Sequence, residues 1–203
     1  MEENMIITIS RQYGSGGSQV AKILAERMGV WCYDRDILTI AAERIGNEEL
    51  TEDTINDLNY KRNDVASAGI TGVMGMGNIP IYNQMFLEQA KIIRKLANYG
   101  SAVFLGRCAD YILKDIKNCT SVYLYADREF RKNRVKEIYG SNAEIMDKEE
   151  KNRADYYNYY TGNRWGDINN YDFAINTSKV SFEEVADLIY RFAKDKQKNL
   201  KDR

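Results

Sequence analysis

The sequence contains no histidine. That absence removes Ser-His-Asp and Cys-His nucleophilic machinery, histidine-ligated metals and histidine proton relays from the available chemistry. Carboxylates, arginines, lysines, hydroxyls, backbone donors and a hard ion such as Mg²⁺ remain. Proline occurs once, at Pro80, and cysteine three times, at Cys32, Cys108 and Cys119. Such an odd, widely spaced set of cysteines reads as reduced thiols in a cytoplasmic protein rather than a disulfide framework. Neither sign of charge predominates, since 29 Lys and Arg stand against 30 Asp and Glu. No basic field therefore argues for a nucleic-acid partner, and no polybasic patch for a membrane surface. No apolar run approaches the ~18 residues of a membrane span, and Met1–Met5 lacks the basic start and apolar stretch of a signal peptide. A chain of 203 residues suits one domain with room for a mobile insert and buries a substantial core.

What the chain does have is concentrated in Ile6–Met28. A β-branched run, Ile6–Ile9, leads through four residues into Gly14-Ser15-Gly16-Gly17-Ser18, which opens an amphipathic helix marked by Val20, Ile23, Leu24 and Met28 and stopped by Gly29. Strand, glycine loop and helix N-terminus make an anion site, because backbone N–H groups turn toward a phosphate at the positive end of the helix dipole. Against the phosphate-loop pattern G-x-x-x-x-G-K-[ST], the lysine is Gly17 and the first glycine is Arg11. Ser18 is then the expected Mg²⁺-ligating hydroxyl, or a helix cap. Arg11 is the nearest candidate for the missing cation, with its guanidinium folded back over the loop, or else a salt-bridge partner. The same glycines also admit a Rossmann-type dinucleotide turn, with Asp34 as its ribose-binding acid. The four-residue gap before Gly14 and Gln19 at the last glycine position argue against that reading.

Further along, Trp31–Tyr33 reads as a second strand, residues 37–45 and 50–62 as helical, and residues 66–80 as a glycine- and methionine-rich flexible stretch. A helix carrying Phe86, Leu87, Ala90, Ile93, Leu96 and Ala97 closes at Gly100. Ala102–Leu105 and Ser121–Tyr125 read as strands buried on both faces. Asp127 is placed to cap a basic helix whose Arg128, Arg131 and Arg134 form a solvated face, and residues 147–160 are helical up to Gly162. Asp172–Ile175 is a last strand and Ser181–Ala193 a last helix, with Ser181 and Glu184 in capping-box spacing and a frayed charged tail from Lys194. Alternating strands and helices imply a parallel sheet between helical layers.

The segments ITISRQYGSGGSQVAKILAERMG, CYDRDIL, VFLGRCADYIL and RADYYNYYTGNRWGDINNYDFAINTS together resemble the bacterial cytidylate-kinase-like family. The resemblance runs from Ile6 to about Ala193. It implies an α/β fold of the P-loop nucleoside triphosphate hydrolase type, a three-layer α/β/α sandwich on a parallel five-strand sheet. It further implies a single nucleoside monophosphate kinase-like domain with a core of residues 1–34 and 101–203, a helical substrate-binding insert at about 35–100 and a lid at about 147–168. The implied activity is phosphoryl transfer from ATP, with Mg²⁺, to a small nucleotide acceptor, CMP or dCMP first. Carried over by motif, Gly14, Ser15, Gly16, Gly17 and Ser18 form the donor-phosphate loop, Asp34 begins the monophosphate-binding segment, and Arg107 helps bind the acceptor. Arg153 and Asp155 fall in the lid, and Arg164 joins Arg107 and Arg153 in neutralising developing charge. Three departures stand out: Gly17 for the loop lysine, Cys108 where an acid reads the base unless Asp110 substitutes, and a lid rich in tyrosine (Tyr156, Tyr157, Tyr159 and Tyr160). The alternatives are a non-catalytic nucleotide-binding module whose lost lysine records lost turnover, and the Rossmann-type binder. The oligomeric state is open.

Overall fold

Alternation along the first strand decides how the layers form. In the computed structural model, which describes residues 4–34, 37, 81–140 and 142–201, β1 (Ile6–Arg11) sends Ile6 into one hydrophobic cluster and Ile7 and Ile9 into the other. The same alternation holds in β3 (Ala102–Leu105), whose Phe104 faces the first cluster and whose Val103 and Leu105 face the second. Successive strand side chains point to opposite faces, so a strand apolar on both must be covered on both. Helix α1 (Gly17–Met28) and the last helix, α6 (Phe182–Lys201), cover one face. Helix α2 (Ile81–Tyr99) and the short α3 (Ala109–Ile112) cover the other. The remaining elements are β2 (Trp31–Tyr33), β4 (Cys119–Tyr125), α4 (Arg128–Tyr139), α5 (Ala143–Thr161) and β5 (Phe173–Asn176).

All five strands are parallel, in the order β2-β3-β1-β4-β5. That order, and not loop length, separates the two readings of the glycine loop. β1 runs two residues past the expected Ile9, so only Gln12 and Tyr13 intervene before Gly14. A dinucleotide-binding sheet sets its second strand beside its first; here β3 lies between them. The Rossmann-type reading is therefore withdrawn.

Two other expectations change. Asp127 sits at the N-cap of α4, yet its carboxylate accepts from Asn176 Nδ2 at 3.0 Å and makes no cap bond. The tail beyond Lys194 is not frayed: α6 continues to Lys201, and Lys196 Nζ donates to Cys119 O at 2.8 Å and to Asp172 at 2.6 Å. Replacing Lys196 by alanine should cost about 1 kcal/mol, because this charge-assisted bond lies partly in solvent. Urea unfolding measures that loss. The capping box forms as expected, with Glu184 N on Ser181 Oγ and Ser181 N on Glu184 Oε2, both at 3.2 Å.

The span assigned to an insert includes α2, whose Met85, Ile92 and Ile93 are buried in the core. The helices expected at 37–45 and 50–62 and the stretch at 66–80 lie outside the described residues, apart from the buried Ile37.

Candidate active site

At the C-terminal edge of the sheet, Gly14 and Gly16 adopt φ of +81° and +82°, a left-handed backbone that glycine enters without a Cβ penalty. Gly16 is the N-cap of α1, and its carbonyl accepts from Gln19 and Val20. The N–H groups of Gly17 and Ser18 are then the orphan donors of the first helical turn. Ser15 N is already committed to Gln12 O at 3.3 Å, so the loop offers fewer backbone donors than its five residues suggest. Ser18 is exposed and is not the helix cap.

The loop is braced from three sides. Thr177 Oγ1 donates to Ser15 O at 2.7 Å, and buried Arg131 reaches Ala126 O and Tyr13 O, at 3.2 and 3.4 Å. Arg131 therefore leaves the solvated face expected of it. From α5, Glu150 accepts from Tyr13 N at 2.7 Å and from Trp165 Nε1 at 2.8 Å. Arg153 donates to Arg11 O at 2.9 Å and lies 5.0 Å from the centre of the Tyr13 ring. The segment expected as a lid is thus tied directly to the end of β1.

Two cavities meet here. One, of about 350 Å³, includes Arg11, Arg107, Arg153, Asp34 and Glu149 in its wall. The other, of about 260 Å³, lies over Gly14, Gly16, Gly17 and Ser18, with Lys22 and Arg134 at its rim. Arg11, Tyr13, Ser18, Tyr139 and Arg153 line both. Among the described residues of the larger cavity, three guanidiniums face two carboxylates, a balance that favours an anionic ligand. Burial raises the Glu149 carboxyl above its ordinary range, against the opposing pull of Arg153.

Arg11 does not fold back over the glycine loop. Its stem crosses Gly17, and its guanidinium continues to Gly106 and to Asp34, 3.7 Å away. Arg107 reaches the cavity from a backbone turn with φ of +73°, +60° and +54° at Gly106, Arg107 and Cys108. For non-glycine residues that conformation carries a steric penalty, and such outliers gather where a side chain must be aimed.

Asp110 is not in the wall of either cavity. It is buried beneath the larger one, accepting from Tyr157 Oη at 2.7 Å and from Ser10 Oγ at 3.3 Å. It therefore does not face the cavity as a base-reading acid would, and instead holds Tyr157 and Ser10, which do line it. Burial raises its pKa, partly offset by the two hydroxyl donors. A raised native pKa means that protonated Asp110 stabilises the fold, and this contribution fades as pH rises from the ordinary carboxylate value through the native one. The stability of the protein relative to its Asp110→Asn variant should accordingly fall with rising pH across that window. Chemical unfolding of both proteins at a series of pH values measures the difference.

Asp155 pairs with Lys151 at 2.5 Å, and Arg164 is exposed; neither lines the cavities. Tyr156 and Tyr157 line the larger one, while Tyr160 stacks on Phe86 at 4.1 Å. Cys108 is buried in the first hydrophobic cluster and borders the larger cavity, and burial holds its thiol well above the ordinary value, which disfavours the reactive thiolate. Sequence reasoning missed Tyr13, Glu149, Glu150 and Trp165. The glutamates sit in a charged helical run, DKEEKNR, which carries no local sign of a partner 137 positions away.

The model of a family described as cytidylate kinase-like matches residues 6–179. No curated protein matches the chain. Among solved structures, an uncharacterized protein from Eubacterium ventriosum ATCC 27560 is similar at 29% identity and a TM-score of 0.69, over 94% of this chain and 98% of that one. A gluconokinase from Sinorhizobium meliloti 1021 is similar at 14% identity and a TM-score of 0.58, over 98% and 97%. A shikimate kinase from Bacteroides thetaiotaomicron is similar at 14% identity and a TM-score of 0.53, over 94% and 98%. At these identities the two kinases share the fold alone, a three-layer α/β/α arrangement of the P-loop kinase type.

Proposed function

The chain belongs to the cytidylate kinase-like family, and from that premise we propose that it transfers a phosphoryl group from ATP to the phosphate of a nucleoside monophosphate, with CMP and dCMP the first acceptors to test. The observation that carries this reading is the junction of the two cavities at Arg11, Ser18 and Arg153. A donor whose phosphates lie over Gly14–Ser18 and an acceptor in the larger cavity would meet there, among guanidiniums. Phosphoryl transfer asks for alignment and charge neutralisation rather than a covalent nucleophile, which suits a chain without histidine. Arg107 and Arg153 would bind phosphate oxygens and bear the developing charge. An acceptor phosphate needs no strong general base. Among the described residues, Glu149 and Asp34, the latter beside Arg11, are the carboxylates in the cavity wall that would face a base or ribose.

Mg²⁺ fits the donor set. The Ser18 hydroxyl is exposed where the cavities join, and this ion takes few protein ligands beside phosphates and water. Ser18 would hold it, with the substrate phosphates supplying further oxygens; once bound, it neutralises phosphate charge.

Incubating the protein with ATP, Mg²⁺ and CMP, dCMP, UMP, AMP or GMP in turn should give acceptor-dependent ADP and the matching diphosphate. Absence of turnover with all five, alongside calorimetric binding of ATP, would establish the non-catalytic module instead.

A further inference from the structure

Gly17 differs from the other glycines of its loop. Gly14 and Gly16 need glycine for their positive φ, whereas Gly17 lies in the first turn of α1 with no left-handed backbone to justify it. What forbids a side chain there is Arg11. A Cβ built on Gly17 would stand 2.6 Å from Arg11 Cβ and 2.7 Å from Arg11 Cγ. The Cβ is fixed by the backbone of Arg11, the last residue of β1, so a change of side-chain rotamer moves Cγ but leaves the shorter of the two contacts in place.

The register against G-x-x-x-x-G-K-[ST] gives this contact its meaning. Arg11 occupies the pattern's first glycine and Gly17 its lysine, so the two residue types have changed places. We infer that positions 11 and 17 hold a single cation between them, supplied here from the strand by Arg11, and that Gly17 is glycine because the arginine stem fills its side-chain space. The space of the absent lysine is therefore occupied, which a simple loss of that lysine would not produce. The cation also approaches differently. A lysine on α1 would rise from beneath the donor phosphates, while the Arg11 guanidinium lies toward Gly106 and Asp34 in the larger cavity. It stands between the donor loop and the acceptor side.

The steric half of this inference is independent of function; the electrostatic half rests on the proposed ATP binding. Melting temperature and calorimetric binding of MgATP are measured on the wild type, Gly17→Lys, Arg11→Gly, Arg11→Gly/Gly17→Lys and Arg11→Ala/Gly17→Lys. Gly17→Lys should melt roughly 3–10 °C lower, as expected for overpacking in a protein of this size. Arg11→Gly should bind MgATP ten- to a hundredfold more weakly. The Arg11→Gly/Gly17→Lys exchange should regain both stability and affinity. Arg11→Ala/Gly17→Lys should remain destabilised, because the Arg11 Cβ itself is one of the colliding atoms. Should Gly17→Lys fail to fold, Gly17→Ala adds only the offending Cβ and runs the melting cycle, while the Arg11→Gly affinity measurement stands for the cation.

A Gly17→Lys protein with wild-type melting, or an exchange no more stable than the summed single changes, overturns the inference. So does an exchange that melts normally but leaves MgATP affinity as weak as in Arg11→Gly. If the wild type does not bind MgATP, the proposed function fails, and the melting cycle still decides the steric exchange.

Discussion

Arg107→Gly should reduce phosphoryl transfer roughly 10³-fold or more, the scale on which a transition-state arginine acts, while leaving the melting temperature at or slightly above that of the wild type. The expectation comes from the backbone. Gly106, Arg107 and Cys108 take φ of +73°, +60° and +54°, and each non-glycine residue in that region costs about 1–2 kcal/mol. Glycine at 107 relieves that strain, and loses about 0.5–1 kcal/mol of it again to the entropy of the unfolded chain. A residue kept for stability would not be an arginine here; one kept to aim a guanidinium into the cavity would. Steady-state kinetics and thermal unfolding on the same variant separate the two. A less stable Arg107→Gly protein with normal turnover would make Arg107 a structural residue.

Gly16→Val has the largest expected effect on stability. Gly16 combines φ of +82° with a Phe182 ring in direct contact with the space a Cβ would take. Backbone strain of about 1–3 kcal/mol and overpacking of about 1–3 kcal/mol act on one residue. Phe182 opens α6 and sits against the second hydrophobic cluster, so the ring has little freedom to retreat. Adding Phe182→Ala should recover the packing share of the loss and none of the backbone share. Denaturant unfolding of the single and double variants checks the division. MgATP affinity should remain lost in both, because Gly16 O and the first-turn N–H groups of α1 set the loop's shape. A Gly16→Val protein that binds MgATP normally would remove the loop from the donor site.

The glycine loop, the helix after it and the Ser181–Glu184 cap were legible because each depends on residues within a few positions of one another. Glycine's access to positive φ, the helical recurrence of Val20, Ile23 and Leu24, and the reciprocal bonds of a capping box are local physics. Asp127 shows the limit of such signals. The residue and its position were right for a cap, but Asn176 from β5 competes for the carboxylate.

The sequence by itself determined the class of chemistry, by lacking histidine and by carrying a strand–glycine loop–helix unit, and it determined the parallel α/β layering through doubly apolar strands. Strand order was decided only in three dimensions, since whether β2 or β3 lies beside β1 depends on connections through residues far from either. The same holds for the site. Arg11 was recognisable as a cation near the loop, but its course past Gly17 to Gly106 and Asp34 depends on a stem rooted in β1 and on the space left by Gly106 at the end of β3. Arg131 read as part of a solvated face and Asp110 as a substitute for the base-reading acid until packing buried both, and Glu150 gave no signal at all until α5 laid it on Tyr13. Burial and long-range pairing are properties of the assembled layers. No window of neighbouring residues contains them, which is why the tertiary structure alone could place the groups that meet at the cavity.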